Sequence, residues 1–435
     1  MTGLAYALAL VTGLGLAQCL AGWILVTRFA AQARTLPARL PPVTILKPLC
    51  GDEPLLEEAL ASCCCQNYPA FQIVFGVQDR ADPALAVAQR LRDRFPRCDI
   101  TIVVDDTPHG PNRKIANLIN MLPSARHDVL VISDSDLHVT PDYLEQLVAA
   151  LEVPGTGLVT AVFIGLAARR GWPAWLGATH ISHVFLPGVL VARAMGRQDC
   201  LGSTVMLQRR VLEQIGGLQP LVTQLAEDNV LGQRVRELGL TVRLADIVSA
   251  VTVPEASLRA LWQHEIRWAR TIRGLVPIAH AVSTFQHPLF SAMMAFVFSS
   301  GARWSVLLFA FAWAVRAISA RGIDGTLLPR LGRRALAAPY LLLPLRDALS
   351  VVETIASYWG NEVVWRGHKL TAAIGAPKLE GCASLAGTTL SPITRVPEEN
   401  LPVTAKCAVD NSVDGEKPSL IITTWERDVG GLHRG

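Results

Sequence analysis

From Leu4 to Val26 the chain carries no charged side chain, a run long enough for a helix to cross a hydrocarbon core. No basic residue precedes the run, whereas Arg28, Arg34 and Arg39 come after it. A cleaved secretory leader has its basic residues before the apolar stretch. The order here predicts an uncleaved anchor, with the N-terminus outside and the next domain in the cytoplasm. Residues 1–30 are therefore read as a transmembrane anchor, tying the rest of the chain to a membrane surface.

Two later stretches share this character. Pro288 to Ile318 is broken only by Arg303, and a helical hairpin turning near Gly301–Arg303 accommodates both halves. It returns the chain to the side where Arg316, Arg321, Arg330, Arg333 and Arg334 satisfy the positive-inside pattern. Ala335 to Trp359 is interrupted by Pro339 and Pro344. Arg346 and Asp347 lie at its centre, which is costly in lipid unless they are paired or face protein. Re-entrant, interfacial and spanning readings stay open for it. An apolar fraction of 51% with 17% charged residues agrees with a mixed soluble and membrane chain. A net charge of +4, without a basic stripe interleaved with aromatics, excludes nucleic acid as the expected partner. The nine cysteines include no C-x-x-C pair, so reduced thiols are expected rather than a zinc site or a disulfide framework.

Residues 40–254 read differently. Val43–Leu46, Ile73–Val77, Ile100–Val104 and Val129–Ser133 have strand character. Helical periods near Pro54–Cys65, Pro83–Phe95 and Lys114–Leu122 lie between them. Strict alternation predicts an α/β domain with a mostly parallel sheet and helices on its faces. Ligands then bind just past the carboxyl ends of the strands. Residues 255–286 are expected to form interfacial helices and 287–370 a membrane region. The polar, aperiodic tail 371–435 is expected to be disordered.

Several side chains stand where chemistry would be placed. Asp79 comes just after the second strand and suits a nucleotide base or ribose, or simply a solvated loop. Asp82 before Pro83 reads as a helix N-cap. Asp134-Ser135-Asp136 puts two carboxylates past the fourth strand. They suit Mg²⁺ or Mn²⁺ bridged to a diphosphate, or a turn with capping acids. Gly110-Pro111-Asn112-Arg113-Lys114 opens a helix whose amides and cations fit a phosphate, or only start the helix. Glu227 and Asp228 open the pattern Val230–Leu238, where acids are favourable electrostatically, and either has the chemistry of a general base. In Trp262-Gln263-His264-Glu265-Ile266-Arg267-Trp268, tryptophans and arginines suit an interfacial helix. Arg267 also suits a diphosphate, and Trp268 an acceptor pocket.

The order of these motifs resembles the family-2-type glycosyltransferases with a GT-A fold. From Lys47-Pro48-Leu49 through Trp365-Arg366-Gly367 it resembles the ceramide glucosyltransferase family, family 21. Phe75-Gly76-Val77-Gln78-Asp79, Asn112-Arg113-Lys114, Asn117-Leu118-Ile119-Asn120-Met121, Gly202-Ser203-Thr204 and Arg267-Trp268-Ala269-Arg270-Thr271-Ile272-Arg273 look especially like the bacterial hopanoid-biosynthesis glycosyltransferases. The resemblance implies an inverting transfer from a UDP-sugar to a membrane lipid, N-acetylglucosamine onto a hopanoid polyol, with glucose onto ceramide as the alternative. A catalytic domain facing the cytoplasm at the inner membrane is expected. In this reading Asp228 is the base, and Asp79, Lys114, Asp134, Arg267 and Trp268 bind the donor. Asp136, with Asp134, holds the divalent cation. Asn117, Glu227, Gln263 and His264 support them. Two features depart from the family pattern. His264 stands where the family usually has Gln or Arg, and a neutral imidazole does not reproduce a guanidinium. The full Asp134-Ser135-Asp136 differs from the D-S-G of animal ceramide enzymes.

Overall fold

A computed structural model describes residues 2–331, 340–365, 368–371, 407–409 and 420–422. Helix α1 (Thr2–Ala31) is followed by strand β1 (Val43–Pro48), α2 (Leu56–Cys64), β2 (Phe71–Val77), α3 (Pro83–Arg94), β3 (Asp99–Val104), α4 (Arg113–Met121) and β4 (Val129–Ser133). These are the expected elements, with ends shifted by at most a few residues. Asp82 caps α3 by accepting from the Ala84 amide, with Pro83 in the first turn. It also accepts from the Gly51 amide.

The second half continues through β5 (Leu137–His138), α5 (Tyr143–Leu151), β6 (Thr156–Ala167), α6 (Trp172–His180), α7 (Leu186–Ala194), β7 (Thr204–Gln208), α8 (Arg209–Gln214), α9 (Glu227–Glu237) and β8 (Thr241–Val253). One eight-stranded sheet results, in the order β3-β2-β1-β4-β7-β6-β8-β5. β1 to β4 pair in parallel and β6 pairs in parallel with β8, while β7 and β5 pair antiparallel with their neighbours. The first half of the sheet is thus parallel, as expected, and the other half is mixed. Ile45, Ile73, Phe75, Val131, Val159 and Ala161 on one face of the sheet, and Leu46, Val74, Leu130, Ile132 and Leu158 on the other, are buried, so both faces are covered.

α10 (Leu258–Leu275), α11 (Pro277–Val282), α12 (Pro288–Phe298), α13 (Arg303–Leu327) and α14 (Leu343–Ser357) are the remaining α-helices among the described residues. The turn between α12 and α13 falls at Ser299–Ala302, where Ser300 and Gly301 adopt positive φ. The spans Thr2–Ala31, Trp172–Ala194 and Arg303–Leu331 are apolar and long enough to cross a membrane, and the bent pair at Pro277–Phe298 would make a fourth. Trp172–Ala194 is the most buried of the three, packed against β6 and α1. α14 has only 15 residues, about 22 Å of helix, which is short for a crossing. Arg346 and Asp347 on it are fully buried but paired. The expected disorder of 371–435 falls largely outside the described residues; Cys407–Val409 and Leu420–Ile422 pair there as a short ladder. Cys19, Cys50, Cys63, Cys64, Cys65, Cys98 and Cys200 are free thiols.

Candidate active site

Parallel pairing sets the carboxyl ends of β1, β2 and β4 on one edge of the sheet. Residues just past those ends therefore become neighbours although dozens of positions separate them in sequence. β7 runs antiparallel to β4 with Ser133 opposite Thr204, so Gly202 and Ser203 sit beside Asp134. The Asp134 amide donates to the Ser203 carbonyl at 3.2 Å. At the end of β1, Lys47 is fully buried and donates from Nζ to the Asp134 carbonyl at 2.7 Å and the Leu137 carbonyl at 3.4 Å. A buried ammonium needs such acceptors, and here they fix the loop that carries both aspartates. Ser135 Oγ donates to Glu53 at 2.6 Å. The Asp136 carbonyl accepts from the Thr252 amide at 3.1 Å, joining the loop to β8.

Lys114 connects the two acidic motifs. Its Nζ lies 2.6 Å from Asp134 Oδ1 and 3.1 Å from Glu227 Oε1. Burial opposes its charge, but Asp134 and Glu227 outweigh that cost and hold the ammonium well above its usual pKa. The start of α4 is built to place it. Asn112 is buried, caps α4 by accepting from the Ile115 amide, and donates to the Gln224 carbonyl and to Glu227. Asn117 is also buried and donates to the Gly76 carbonyl at 2.8 Å, tying α4 to β2. Arg113 is exposed and donates to Gln78. Asp79 is exposed and accepts from the Ala81 amide, in a turn that leaves it at the rim.

Asp228 is half-buried in the first turn of α9. Burial, then the charge of Glu227, pushes its carboxyl up to about 7, against the pull of Lys114. A Cβ added at Gly202 would lie 2.9 Å from Asp228 Oδ2. Glycine at 202 is what gives that carboxylate its room. The same two causes act on Asp136: burial, then Asp134 and Glu53, push its carboxyl up to about 8 while Lys47 pulls it down. Asp134 and Asp136, with Glu53 joined to their loop through Ser135, supply hard oxygens of the kind that suit Mg²⁺ or Mn²⁺. The compact set of three metal-type ligands found among the described residues is instead His180, Glu265 and Glu353. Arg346 donates to both of those glutamates at 2.8 Å, so a guanidinium already occupies the place between them that a cation would take.

α10 carries the remaining candidates. Ser257 caps it, and Leu261, Glu265, Ile266 and Ala269 form its buried face. His264 Nδ1 donates to Glu255, and its ring meets Trp268 edge-on with centroids 4.5 Å apart. Arg267 and Trp268 are half-buried and Gln263 is exposed. Arg270 and Arg273 donate to the Trp359 and Ser357 carbonyls and so clasp the end of α14. Reading along the sequence assigned no role to Lys47, Glu53, Gly202 or Glu255. Lys47 and Gly202 stand in motifs that carry the family resemblance, whereas Glu53 and Glu255 left no signal there.

A sheet that collects acids at its strand ends, with a base candidate on a later helix, has the layout of a GT-A glycosyltransferase. The family model for glycosyl transferase family 21 matches residues 5–377, and the chain belongs to that family. It is 22% identical to ceramide glucosyltransferase 1 of Caenorhabditis elegans over 77% of this chain and 72% of that protein. With the ceramide glucosyltransferase of Komagataella phaffii the identity is 33%, over 30% of this chain and 27% of the yeast protein. Among solved structures, the mannosyltransferase PcManGT of Pyrobaculum calidifontis, in complex with GDP-Man and Mn²⁺, is 19% identical. It covers 82% of this chain and 99% of its own, with a TM-score of 0.47.

Proposed function

We propose that this glycosyltransferase moves a sugar from a UDP-sugar to a hydroxyl of a membrane lipid, with inversion, glucose onto ceramide being the reading that the named relatives support. The observation that carries it is the convergence of Asp228, Lys114 and Asp134-Ser135-Asp136 on one strand-end cleft. Asp228, with its carboxyl pushed up to about 7, accepts the proton of the attacking hydroxyl. One carboxylate base with no covalent sugar intermediate corresponds to single displacement. Asp79 receives the uridine end, and Asp134 the ribose. Lys114 and Arg267 hold the diphosphate, and Trp268 shapes the acceptor side. Asp136, with Asp134, would hold a divalent cation, whose chemistry is to neutralise charge on the departing diphosphate.

His264 takes the place of the family's Gln or Arg as an imidazole oriented by Glu255. Its Nδ1 is committed to the carboxylate, so Nε2 is the nitrogen left for the pocket. The apolar helices support a membrane location, and Arg28 and Arg34 after the uncharged run support a catalytic domain on the cytoplasmic side of an inner membrane, in the positive-inside pattern. A second reading, N-acetylglucosamine onto a hopanoid polyol, is supported by the full Asp134-Ser135-Asp136 and by Asn112-Arg113-Lys114.

Both readings are tested with full-length protein in detergent and Mn²⁺. UDP-glucose and UDP-N-acetylglucosamine are each offered with ceramide or bacteriohopanetetrol, and the lipid products are read by mass spectrometry. Glucosylceramide is the expected product. A hopanoid carrying N-acetylglucosamine selects the second reading, and no product from any pair sinks both.

A further inference from the structure

A cleft of about 630 Å³ lies between the last turns of α1, the end of α7 and the beginning of β8. It is remote from the carboxylates. β6 and β8 run parallel to each other, and β6 is parallel to β4 through the two antiparallel pairings of β7. Thr241–Leu244 therefore lie at the edge where β4 begins, opposite the edge where Asp134 stands.

The lining mixes two chemistries. Leu25, Phe29 and Leu190 make it apolar in part, and Met195 just past α7 is 80% exposed. It also carries Arg28, Arg193, Arg197 and Arg243 against a single lining carboxylate, Asp246. Arg197 is taken by Asp199 at 2.7 and 3.0 Å. Arg193 donates to the Val242 and Asp199 carbonyls, which fixes its guanidinium without cancelling its charge. Arg243 commits its Nε to Thr156 Oγ1. Arg28 is exposed and has no ion-pair partner among the described residues. The lining is therefore cationic overall.

Position supplies the rest. α1 has 30 residues, about 45 Å of helix, against a hydrocarbon core of about 30 Å. Arg28 comes directly after the uncharged run that ends at Val26, at the depth of the lipid headgroups. We infer that this cleft binds the headgroup of an anionic phospholipid, its phosphate facing Arg28 and Arg243 and its acyl chains lying along the Leu25 and Phe29 side of α1. Basic pockets between helices at a membrane surface have this chemistry. The inference does not depend on the acceptor or the donor sugar.

A soluble phosphate shares the charge but not the chains, so the test separates them. Full-length protein in a nonionic detergent is titrated with phosphatidylglycerol, phosphatidylcholine, glycerol phosphate or inorganic phosphate. Bound lipid is counted by native mass spectrometry, and the thermal unfolding midpoint is tracked. Phosphatidylglycerol is expected to be retained and to raise the midpoint, and phosphatidylcholine to do neither. Arg28→Gln should weaken phosphatidylglycerol about fivefold and Arg28→Gln with Arg243→Gln about twenty-five-fold, on the scale of one surface arginine each. Arg28→Lys should retain most of the binding. Equal retention of phosphatidylcholine, indifference to the double substitution, or competition by inorganic phosphate at the same concentration would each overturn the inference. If the double variant fails to fold, the wild-type lipid selectivity and the Arg28→Gln titration still decide it.

Discussion

As the proposed base, Asp228 meets two opposed demands: it must be basic enough to take a proton and still be ionised at working pH. Burial and the adjacent Glu227 supply the basicity, and Lys114 limits the shift so that the carboxyl settles at about 7. Replacing it by Asn should lower kcat about 10²–10⁴-fold while leaving the donor KM nearly unchanged, because the base acts on the acceptor. Steady-state kinetics with donor and acceptor varied separately check this; an equal loss of donor affinity would remove the role. The same carboxyl sets the sign of the pH dependence. A raised carboxyl is protonated below its pKa, so kcat/KM should fall as pH drops through about 7, and the residual activity of D228N should lack that limb. Asp136 leads to a different expectation. Its repulsion by Asp134 and Glu53 would be relieved by a divalent cation held there as proposed, so chelation should suppress turnover and Mn²⁺ or Mg²⁺ restore it. Full activity in chelator would leave the diphosphate to Lys114 and Arg267. These acids are legible in sequence because each comes just after a readable strand or opens a readable helix. The contacts of Gly202 with Asp228 and of Glu255 with His264 are not, since local pattern does not reveal which side chains the fold brings together.

Among elements, the contact between α10 and α14 decides how the Arg267-Trp268 segment is held. Arg346 reaches from α14 to Glu265 on α10 and to Glu353 on its own helix, all three buried. Arg270 and Arg273 grip the far end of α14. Removing one partner of such a set strands the others without solvent, at a cost of about 3–5 kcal/mol. Arg346→Met should therefore lower the thermal midpoint sharply, and adding Glu265→Gln and Glu353→Gln should recover most of it. If R346M alone were neutral, the clamp would contribute nothing to stability. In sequence Arg346-Asp347 is an anomaly in an apolar stretch without its resolution, because the neutralising groups come from α10 and α13. Likewise β1 to β4 announce themselves by strand–helix alternation. β6 and β8, at 12 and 13 residues, do not. Strands buried on both faces lose the period that marks a half-buried one, and Trp172–Ala194 reads as neither a plain span nor a plain surface helix.

At the scale of the molecule, the sheet and the membrane helices share one core. Val26 and Ala30 of α1 and Ile323 and Leu327 of α13 are buried in the same apolar cluster as Ile45, Phe75, Val131 and Val159 of the sheet. A Cβ at Gly22 would meet the Cβ of Pro187 at 2.7 Å, and Gly322 admits the indole of Trp23. α1 is thus not a tether joined to a self-sufficient domain through a linker. A division at residues 40–254, natural from composition, cuts through this packing and uncovers apolar side chains on the sheet's helical layer. Each fully buried large aliphatic side chain contributes about 1.5–3 kcal/mol when covered, and a domain's whole margin is about 5–15 kcal/mol. Losing the contacts of Ile323, Leu327 and Val26, with a smaller contribution from Ala30, removes a large part of that margin. The fragment 40–254 expressed alone should therefore aggregate or melt well below the full-length protein, whereas a fragment 1–331 that keeps α1 and α13 should retain a cooperative transition. Circular dichroism melts and size exclusion of the two fragments in the same detergent compare them directly. A soluble, monodisperse 40–254 melting with the intact chain would show the membrane helices to be an anchor only.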